Sequence, residues 1–376
     1  MTADGARRTR EVALLFLRLG VTAFGGPAGH IAMMHDEVVR RRRWVSNDQF
    51  VDLVGATNLI PGPNSTELAI YLGWDRARGR GLVLAGVCFI LPAALMVGVL
   101  AWSYVEYGQT PALEGILYGI KPVVIAIVVQ ALLKLVPTVA KTRALAVLAA
   151  LAVAAYLAGI NELVLLAAGG ILAGGWRVLR TVRADRLSSW LPIGAFVPAA
   201  DVELGRLFLT FLKIGAVLYG SGYVLLAFLQ GELVNRLGWL TSEQLLDAVS
   251  IGQVTPGPVF TTATFVGYVI GGFWGAVLAT IGIFLPSFLF VALLIRLVSW
   301  MRSSATLGAV LDGINAAAVG LMAGVSVQLV GDAIIDPLTV AVAVGAGLLL
   351  WRTQLNSAWL ITGGAAIGLV NTWLGG

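Results

Sequence analysis

The sequence predicts an all-α, polytopic membrane protein built from two homologous halves of opposite orientation, each holding two interrupted helical segments followed by transmembrane helices. Three observations predict it. Of 376 residues, 58% are hydrophobic and only 12% charged, against roughly 25% charge in soluble domains, and the mean hydropathy is +0.89. The phrase Pro-Gly-Pro occurs twice, at 61–63 and 256–258, each time inside otherwise apolar sequence. Lys and Arg gather at loops of the first half, and at their counterparts in the second half that bias is reversed or erased.

The repeat runs far beyond the Pro-Gly-Pro phrase. At an offset of 195, Phe16-Leu17-Arg18-Leu19-Gly20 falls on Phe211-Leu212-Lys213-Ile214-Gly215, Trp44 on Trp239, Gln49 on Gln244 and Asp52 on Asp247. Past a one-residue deletion placed near Gly73 to Arg80 the offset is 194, pairing Leu91-Pro92 with Leu285-Pro286 and Gly119-Ile120 with Gly313-Ile314. Such sustained register defines two repeats, 1–180 and 205–376, joined by a linker at 181–204 within a basic, Pro-containing stretch.

Each half then reads the same way. Arg7, Arg8 and Arg10 precede the first apolar stretch without a trustworthy small-residue cleavage site, which suggests a cytoplasmic start. Segments 11–37 and 47–74 are interrupted, the first by Gly25-Gly26-Pro27 and the second by Pro61-Gly62-Pro63; segments 205–233 and 243–272 repeat them, broken at Gly220-Ser221-Gly222 and Pro256-Gly257-Pro258. Proline removes a backbone donor and fixes φ while glycine frees the chain, so these phrases end a helix. Uninterrupted runs follow at 81–104, 113–136, 144–158 and 162–176, mirrored at 273–298, 305–330, 337–351 and 357–374. The shortest fall below the roughly 20 residues of a full span, which leaves the number of crossings open.

Charge orients the halves. Arg40 to Arg43, then Arg76, Arg78 and Arg80, then Lys134, Lys141 and Arg143 mark one side of the first half; at the matching places the second half has Arg236 beside Glu232, the uncharged Tyr268 to Gly275, and Asp332 with Asp336. The loop at 105–112 carries Glu106 and no base, whereas its counterpart carries Arg296 and Arg302. Reversed bias is the pattern of inverted repeats. Inversion requires an odd number of crossings before residue 205, and the fourteen uncharged residues Leu187 to Ala200 are the best stretch for the extra one, although they contain two prolines.

Interrupted helices at membrane depth are tolerated only where backbone is buried in protein or lines a wet cavity, and paired interruptions point to a transporter's substrate site. A helix resuming after a break offers unpaired N–H groups and a positive dipole end, an arrangement suited to an anion. Asn58 precedes the first break and Asn64, Ser65 and Thr66 follow it; Gln253 precedes the second and Thr261 follows it. With the glycines and prolines of the breaks themselves, these residues form the expected oxyanion cradle. Arg18 and Lys213 occupy equivalent positions in apolar segments, and Lys121 is a third intramembrane base; each is either a substrate contact or, for the first two, a cation snorkelling to the interface. Glu67, His30, Asp52 and Asp247 are proton-coupling candidates, with structural alternatives: a capping box from Asn64 to Glu67, packing for His30, and helix N-terminal charge for the two aspartates.

Phe24-Gly25-Gly26-Pro27 with His30, the Trp44 segment, Pro61-Gly62-Pro63-Asn64-Ser65-Thr66, Gly119-Ile120-Lys121-Pro122-Val123-Val124, Gly220-Ser221-Gly222-Tyr223 and Pro256-Gly257-Pro258 together resemble the chromate ion transporter family, in its long form of two fused homologous domains. The resemblance covers nearly the whole chain. It implies export of chromate from the bacterial cytoplasm across the inner membrane, conferring chromate resistance and driven by the membrane potential or proton gradient, with sulfate as the tetrahedral analogue. The second half departs from the first at Ser221-Gly222, which replaces Gly26-Pro27, and at Thr262, which replaces Glu67, so the halves are not expected to play identical roles.

A transporter of sulfate or another small oxyanion, or an anion channel on the same scaffold, is the alternative reading; enzymes and ATP-driven pumps find no support in the residues. There is no phosphate-binding Gly-Lys-Ser/Thr loop, no His-rich or paired acidic metal motif, and no nucleophile with a base at helical spacing, so neither an enzyme nor a cofactor or metal is expected, nor a nucleic-acid partner. Cys88 is the single cysteine and excludes a disulfide framework. The 46 glycines, including Gly320 and Gly324, permit close helix packing within the fold or in a homodimer surrounded by lipid.

Overall fold

A computed structural model describes residues 3–23, 26–108, 110–139, 141–181, 204–219, 224–303, 305–353, 355 and 357–374. The described residues form helices and no strand, as expected. In the first half these are α1 (Ala3–Thr22), α2 (Gly26–His35), α3 (Asn47–Thr57), α4 (Asn64–Tyr107), α5 (Pro111–Val139), α6 (Arg143–Leu157) and α7 (Glu162–Thr181). The second half repeats them as α8 (Leu204–Val217), α9 (Leu225–Leu229), α10 (Ser242–Val254), α11 (Thr262–Ser303), α12 (Ala305–Ala333), α13 (Pro337–Arg352) and α14 (Ser357–Trp373). The linker, including the stretch considered for an extra crossing, lies outside the described residues apart from Thr181 and Leu204.

Local chemistry sets the repeated boundaries. Ser46 starts α3 with a capping box, its hydroxyl accepting from Gln49 N while the Gln49 side chain accepts from Ser46 N; Thr241 and Gln244 do the same for α10. Arg76 lies over the Trp44 ring at 5.2 Å and Arg206 over Trp239 at 5.6 Å, so both equivalent tryptophans anchor a guanidinium. The chain widens into π-helical turns at Asp36–Arg41 and Gln230–Arg236, which no residue pattern announced.

The largest departure from the expected segments is at α4 and α11. The run expected to end at residue 74 and the one expected to begin at 81 join into one element that folds back on itself: Ala77 and Arg78 in α4, and Gly271 and Gly272 in α11, leave helical φ/ψ. A methyl group added at Gly73 would overlap the Gly81 carbonyl, and one at Gly267 the Gly275 carbonyl. Residues eight apart stand about 12 Å apart along a straight helix, so these contacts require a hairpin. They also pair at an offset of 194, which moves the one-residue deletion to a point between Pro63 and Gly73. Gly73→Val is expected to destabilise the detergent-solubilised protein by about 3 kcal/mol through overpacking against backbone. Gly79→Val, which meets nothing within 4 Å, is the control expected to keep its thermal midpoint.

Packing interleaves the two halves. α1 lies along α4, with Gly20 against the Phe89 carbonyl and Pro92; α8 lies along α11, with Gly215 against the Ile283 carbonyl. α4 of the first half packs on α11 of the second, and α5 on α12. The last helices exchange sides: α13 and α14 pack on α5, while α6 and α7 pack on α12. Glycines allow this approach, Gly119 meeting Gly364 and Gly313 meeting Gly169 backbone to backbone. Gly320 and Gly324 are used inside the protein, against Ala149 and Tyr156 of α6. Among the described residues, four helices are long and apolar enough to cross a membrane: Asn64–Tyr107, Pro111–Pro137, Val259–Ile295 and Gly308–Ala333. Leu95, Val99, Ile171 and Leu289 are exposed on outward faces, as suits a surface whose solvent is lipid.

Candidate functional site at the crossing of the Pro-Gly-Pro breaks

The two breaks meet the opposite halves in the same way. Gly62 N donates to Leu218 O at 2.8 Å, and Gly257 N donates to Ala23 O at 2.9 Å. Leu218 and Ala23 are equivalent, each just beyond the end of α8 or α1. Both glycines have positive φ, 132° and 95°, so the phrase needs glycine at its centre. The flanking prolines have no N–H and leave the glycine as the donor that ties each break across.

After the first break, α4 begins at Asn64, and Thr66 N and Glu67 N bond to Pro63 O at 2.7 and 3.2 Å. Pro63, not Asn64, occupies the cap position, and no side-chain cap forms; the Asn64-to-Glu67 capping box is therefore absent. Asn64 instead donates from Nδ2 to Asn58 Oδ1. His30 is buried, and its Nε2 lies 3.1 Å from Ala23 O while Nδ1 lies 3.2 Å from Ser65 Oγ. A carbonyl only accepts, so Nε2 carries the hydrogen and Nδ1 accepts from the Ser65 hydroxyl. His30 thus braces the same carbonyl that receives Gly257 N–H.

Several buried polar atoms at this crossing have no hydrogen-bond partner among the described residues: Thr66 Oγ1, both Glu67 carboxyl oxygens, Tyr219 Oη, Gln253 Nε2 and Ser287 Oγ. Glu67 is 0% exposed. A methyl group on Gly62 would overlap Glu67 Oε1 and come within 2.9 Å of Ser287 Oγ, which sets glycine, carboxyl and hydroxyl around one point. Tyr219 lies near enough to Glu67 to belong to the same region. Buried polar groups are normally satisfied, so this concentration marks a place built to meet something polar. On the second side Thr261 Oγ1 donates to Pro258 O and Thr262 Oγ1 to Val259 O, and Gly257 packs against Ala93, the counterpart of Ser287. The hydroxyls that follow the second break are thus satisfied by their own backbone, whereas Thr66 Oγ1, Ser287 Oγ and Gln253 Nε2 are not.

The intramembrane bases stand elsewhere. Arg18 Nη1 lies 3.6 Å from Glu37 Oε1, and Lys213 Nζ lies 3.1 Å from both oxygens of Glu232. Glu37 and Glu232 are themselves 195 apart, so the ion pair is a repeated feature. Glu37 also holds Arg41 and Arg42, and Glu232 also holds Arg236. Arg18, Arg41 and Glu37 line a cavity of about 360 Å³ with Thr22, Met33 and Asp36. Lys121 Nζ is bound to Glu243 at 2.8 Å and Asp247 at 3.2 Å, away from both breaks. Asp52 is exposed on α3, while Asp247 is buried on α10. Gly25, Gly220, Ser221 and Gly222 lie outside the described residues.

The residues missed in sequence are Glu37, Glu232, Tyr219 and Ser287. The two glutamates carried a usable signal, an acidic identity repeated in register. Ser287 followed the recognised Leu285-Pro286 pair, but its partner Ala93 is apolar and gave no signal.

Comparison with known proteins agrees with this architecture. A family described as chromate transporter matches twice, over residues 10–174 and 205–369. The chromate transport protein of Cupriavidus metallidurans is 33% identical over 373 residues, 96% of this chain and 92% of that protein. That of Pseudomonas aeruginosa is 33% identical over 377 residues, covering 94% and 90%. A probable chromate transport protein of Synechococcus elongatus is 31% identical over 379 residues, covering 91% and 95%. No solved structure matches. The chain is a multi-pass membrane protein with the family domain present twice in tandem, and it belongs to the chromate transporter family.

Proposed function

We propose that this chain is a secondary transporter that exports chromate from the bacterial cytoplasm across the inner membrane, handling sulfate as a structural analogue, by alternating access about the crossed breaks. The observation that carries the reading is the reciprocal pair of bonds, Gly62 N to Leu218 O and Gly257 N to Ala23 O, which joins two interrupted helices from two repeats at one place. In inverted-repeat transporters that junction is where substrate sits. The start of α4 supplies backbone donors and a positive dipole end, and Thr66, Ser287, Tyr219 and Gln253 supply unengaged polar atoms. Arg18 and Lys213 serve the approach rather than the cradle, because each remains partly exposed while held by a glutamate. Glu67 is the coupling acid: it stands inside the cradle without a cation bonded to it, where a proton taken up or released changes the charge the anion meets.

The test is chromate uptake into everted membrane vesicles containing the full chain, with sulfate as competitor and with the membrane potential and the proton gradient collapsed separately. Saturable chromate accumulation with counterflow supports the reading and identifies the driving force. Accumulation of sulfate alone changes the cargo and keeps the site. Flux without saturation or counterflow replaces the transporter with an anion channel.

A further inference from the structure

The ion pairs of Arg18 and Lys213 belong to larger charge sets that the two halves build by different means. In the first half the π-turn supplies both acids and one base: Arg41 holds Asp36 at 2.8 Å and Glu37 at 3.0 Å, and Arg18 reaches Glu37 from α1. In the second half Lys213, Glu232 and Arg236 stand at the three equivalent places, but position 231, the counterpart of Asp36, is glycine. The missing carboxyl comes from another helix. Glu162, in the first turn of α7, is buried, and a methyl group on Gly231 would come within 1.4 Å of its Oε1. The carboxyl therefore occupies the space over the glycine, and it lies near Glu232, Lys213 and Arg236. The exchange is reciprocal in sequence, because the counterpart of Glu162 is Asn356. Two acids between two bases are thus assembled in each half from positions that do not correspond.

We propose that Glu162 takes the place of Asp36, and that the two charge sets are outer oxyanion sites, one at each face of the membrane, in which the second acid competes with the incoming anion for the bases. Packing alone does not call for a carboxyl here: an apolar side chain from α7 would cover Gly231, whereas a buried carboxylate is expensive unless bases stand near it. What the halves preserve is the charge. The bases stay open to solvent, 40% to 62% exposed, while Glu37 and Glu232 between them are 9% and 5% exposed. The first set opens on the cavity of about 360 Å³ that Arg18, Asp36 and Arg41 line. Exposed ion pairs are weak, so a tetrahedral dianion, with more charge and more oxygens than one carboxylate, can take the free faces of the bases, and the acid that remains beside them keeps the hold loose enough to release it. Arg42 also holds Glu37, and its counterpart is Leu237, so the first set has one base in excess. Arg40 to Arg43 put that set on the cytoplasmic side, and inversion puts the other opposite; the collecting face of an exporter is then the more positive one. The inference rests on the transporter reading and adds where the anion waits on either side of the cradle.

The experiment is entry of labelled chromate into vesicles loaded with unlabelled chromate, measured with the full chain in both membrane orientations. Everted vesicles present the first set and right-side-out vesicles the second. Glu162→Gln removes a competitor, so it is expected to lower the half-saturating chromate concentration about threefold to tenfold in right-side-out vesicles and to leave it unchanged in everted ones. Asp36→Asn is expected to do the same in everted vesicles only. Glu162→Ala combined with Gly231→Asp returns the carboxyl at the first half's own position, with the alanine clearing the space the aspartate needs, and is expected to restore the parent value. A reading independent of transport is acylation of Lys213 by an amine reagent in detergent, mapped by peptide mass spectrometry: sulfate is expected to slow it, at about threefold lower concentration in Glu162→Gln than in the parent. Half-saturation that stays constant or shifts equally at both faces, or a double variant that reaches the membrane without rescue, overturns the proposal. If Glu162→Gln does not accumulate, Asp36→Asn, at a side chain 40% exposed, decides alone. Protection of Lys213 by sulfate in protein that exchanges neither chromate nor sulfate retains the outer sites and removes the transporter reading; exchange without one-sided shifts or protection does the reverse.

Discussion

Gly62→Ala is expected to lower the initial rate of chromate uptake by about 100-fold, the scale on which a displacement of about 1 Å disables a preorganised site. Two effects combine. A side chain at φ 132° is strained wherever it is placed, and here the new methyl overlaps Glu67 Oε1 and presses on Ser287 Oγ at 2.9 Å. The overlap displaces the break or the carboxyl, and either shifts the bond from Gly62 N to Leu218 O on which the crossing depends. Gly159→Ala separates the two effects, because Gly159 also has positive φ, 86°, but faces nothing within 4 Å. It is expected to cost about 1–2 kcal/mol of stability and no transport. Uptake rates, normalised to protein in the vesicle membrane, check both. Equal rates for the two variants would remove Gly62 from the site.

Glu67→Gln is expected to leave the fold intact and uncouple transport from the proton gradient. Glutamine matches the shape of the acid, and no salt bridge is lost, since neither carboxyl oxygen is bonded among the described residues. If one proton moves with each cycle through Glu67, a pH difference of one unit supports about tenfold accumulation of the anion. Glu67→Gln should abolish that tenfold component while chromate still exchanges across vesicles loaded on both sides. The measurement is accumulation under an imposed pH gradient beside exchange of labelled chromate at equilibrium. Accumulation that follows the pH gradient as strongly in Glu67→Gln as in the parent assigns the coupling to another group.

The architecture was legible because its signals are local and duplicated. Proline and glycine interrupt a helix wherever they stand, so the breaks at 61–63 and 256–258 could be read without coordinates, and apolar runs located α5, α6, α12 and α13 to within a few residues. The fold-back of α4 at Ala77 and Arg78 was not legible, since it depends on Gly73 and Gly81 meeting and not on a helix-breaking phrase. The site was half legible. Hydroxyls and amides beside the breaks could be listed from the chain, but the distribution of charge could not: Arg18, Lys121 and Lys213 looked alike as intramembrane cations until their acids were located. Glu67 resembled a capping residue by spacing, and only the cap at Pro63 shows that it does no such work. Tertiary pairing decides what a charged group does, and it leaves little trace at a single position.

The crossed bonds make the two halves depend on each other. Each repeat contributes one glycine donor and one carbonyl acceptor to the junction, and each satisfies only its counterpart: Gly62 with Leu218, Gly257 with Ala23. The terminal helices behave likewise, α7 lying on α12 and α14 on α5. Each half taken alone would leave that donor and that acceptor without these partners, and the other half supplies both. Carrying both halves in one chain fixes their ratio at one to one and lets the two sides of the junction differ, as Lys121 does from Asn315 and Glu67 from Thr262.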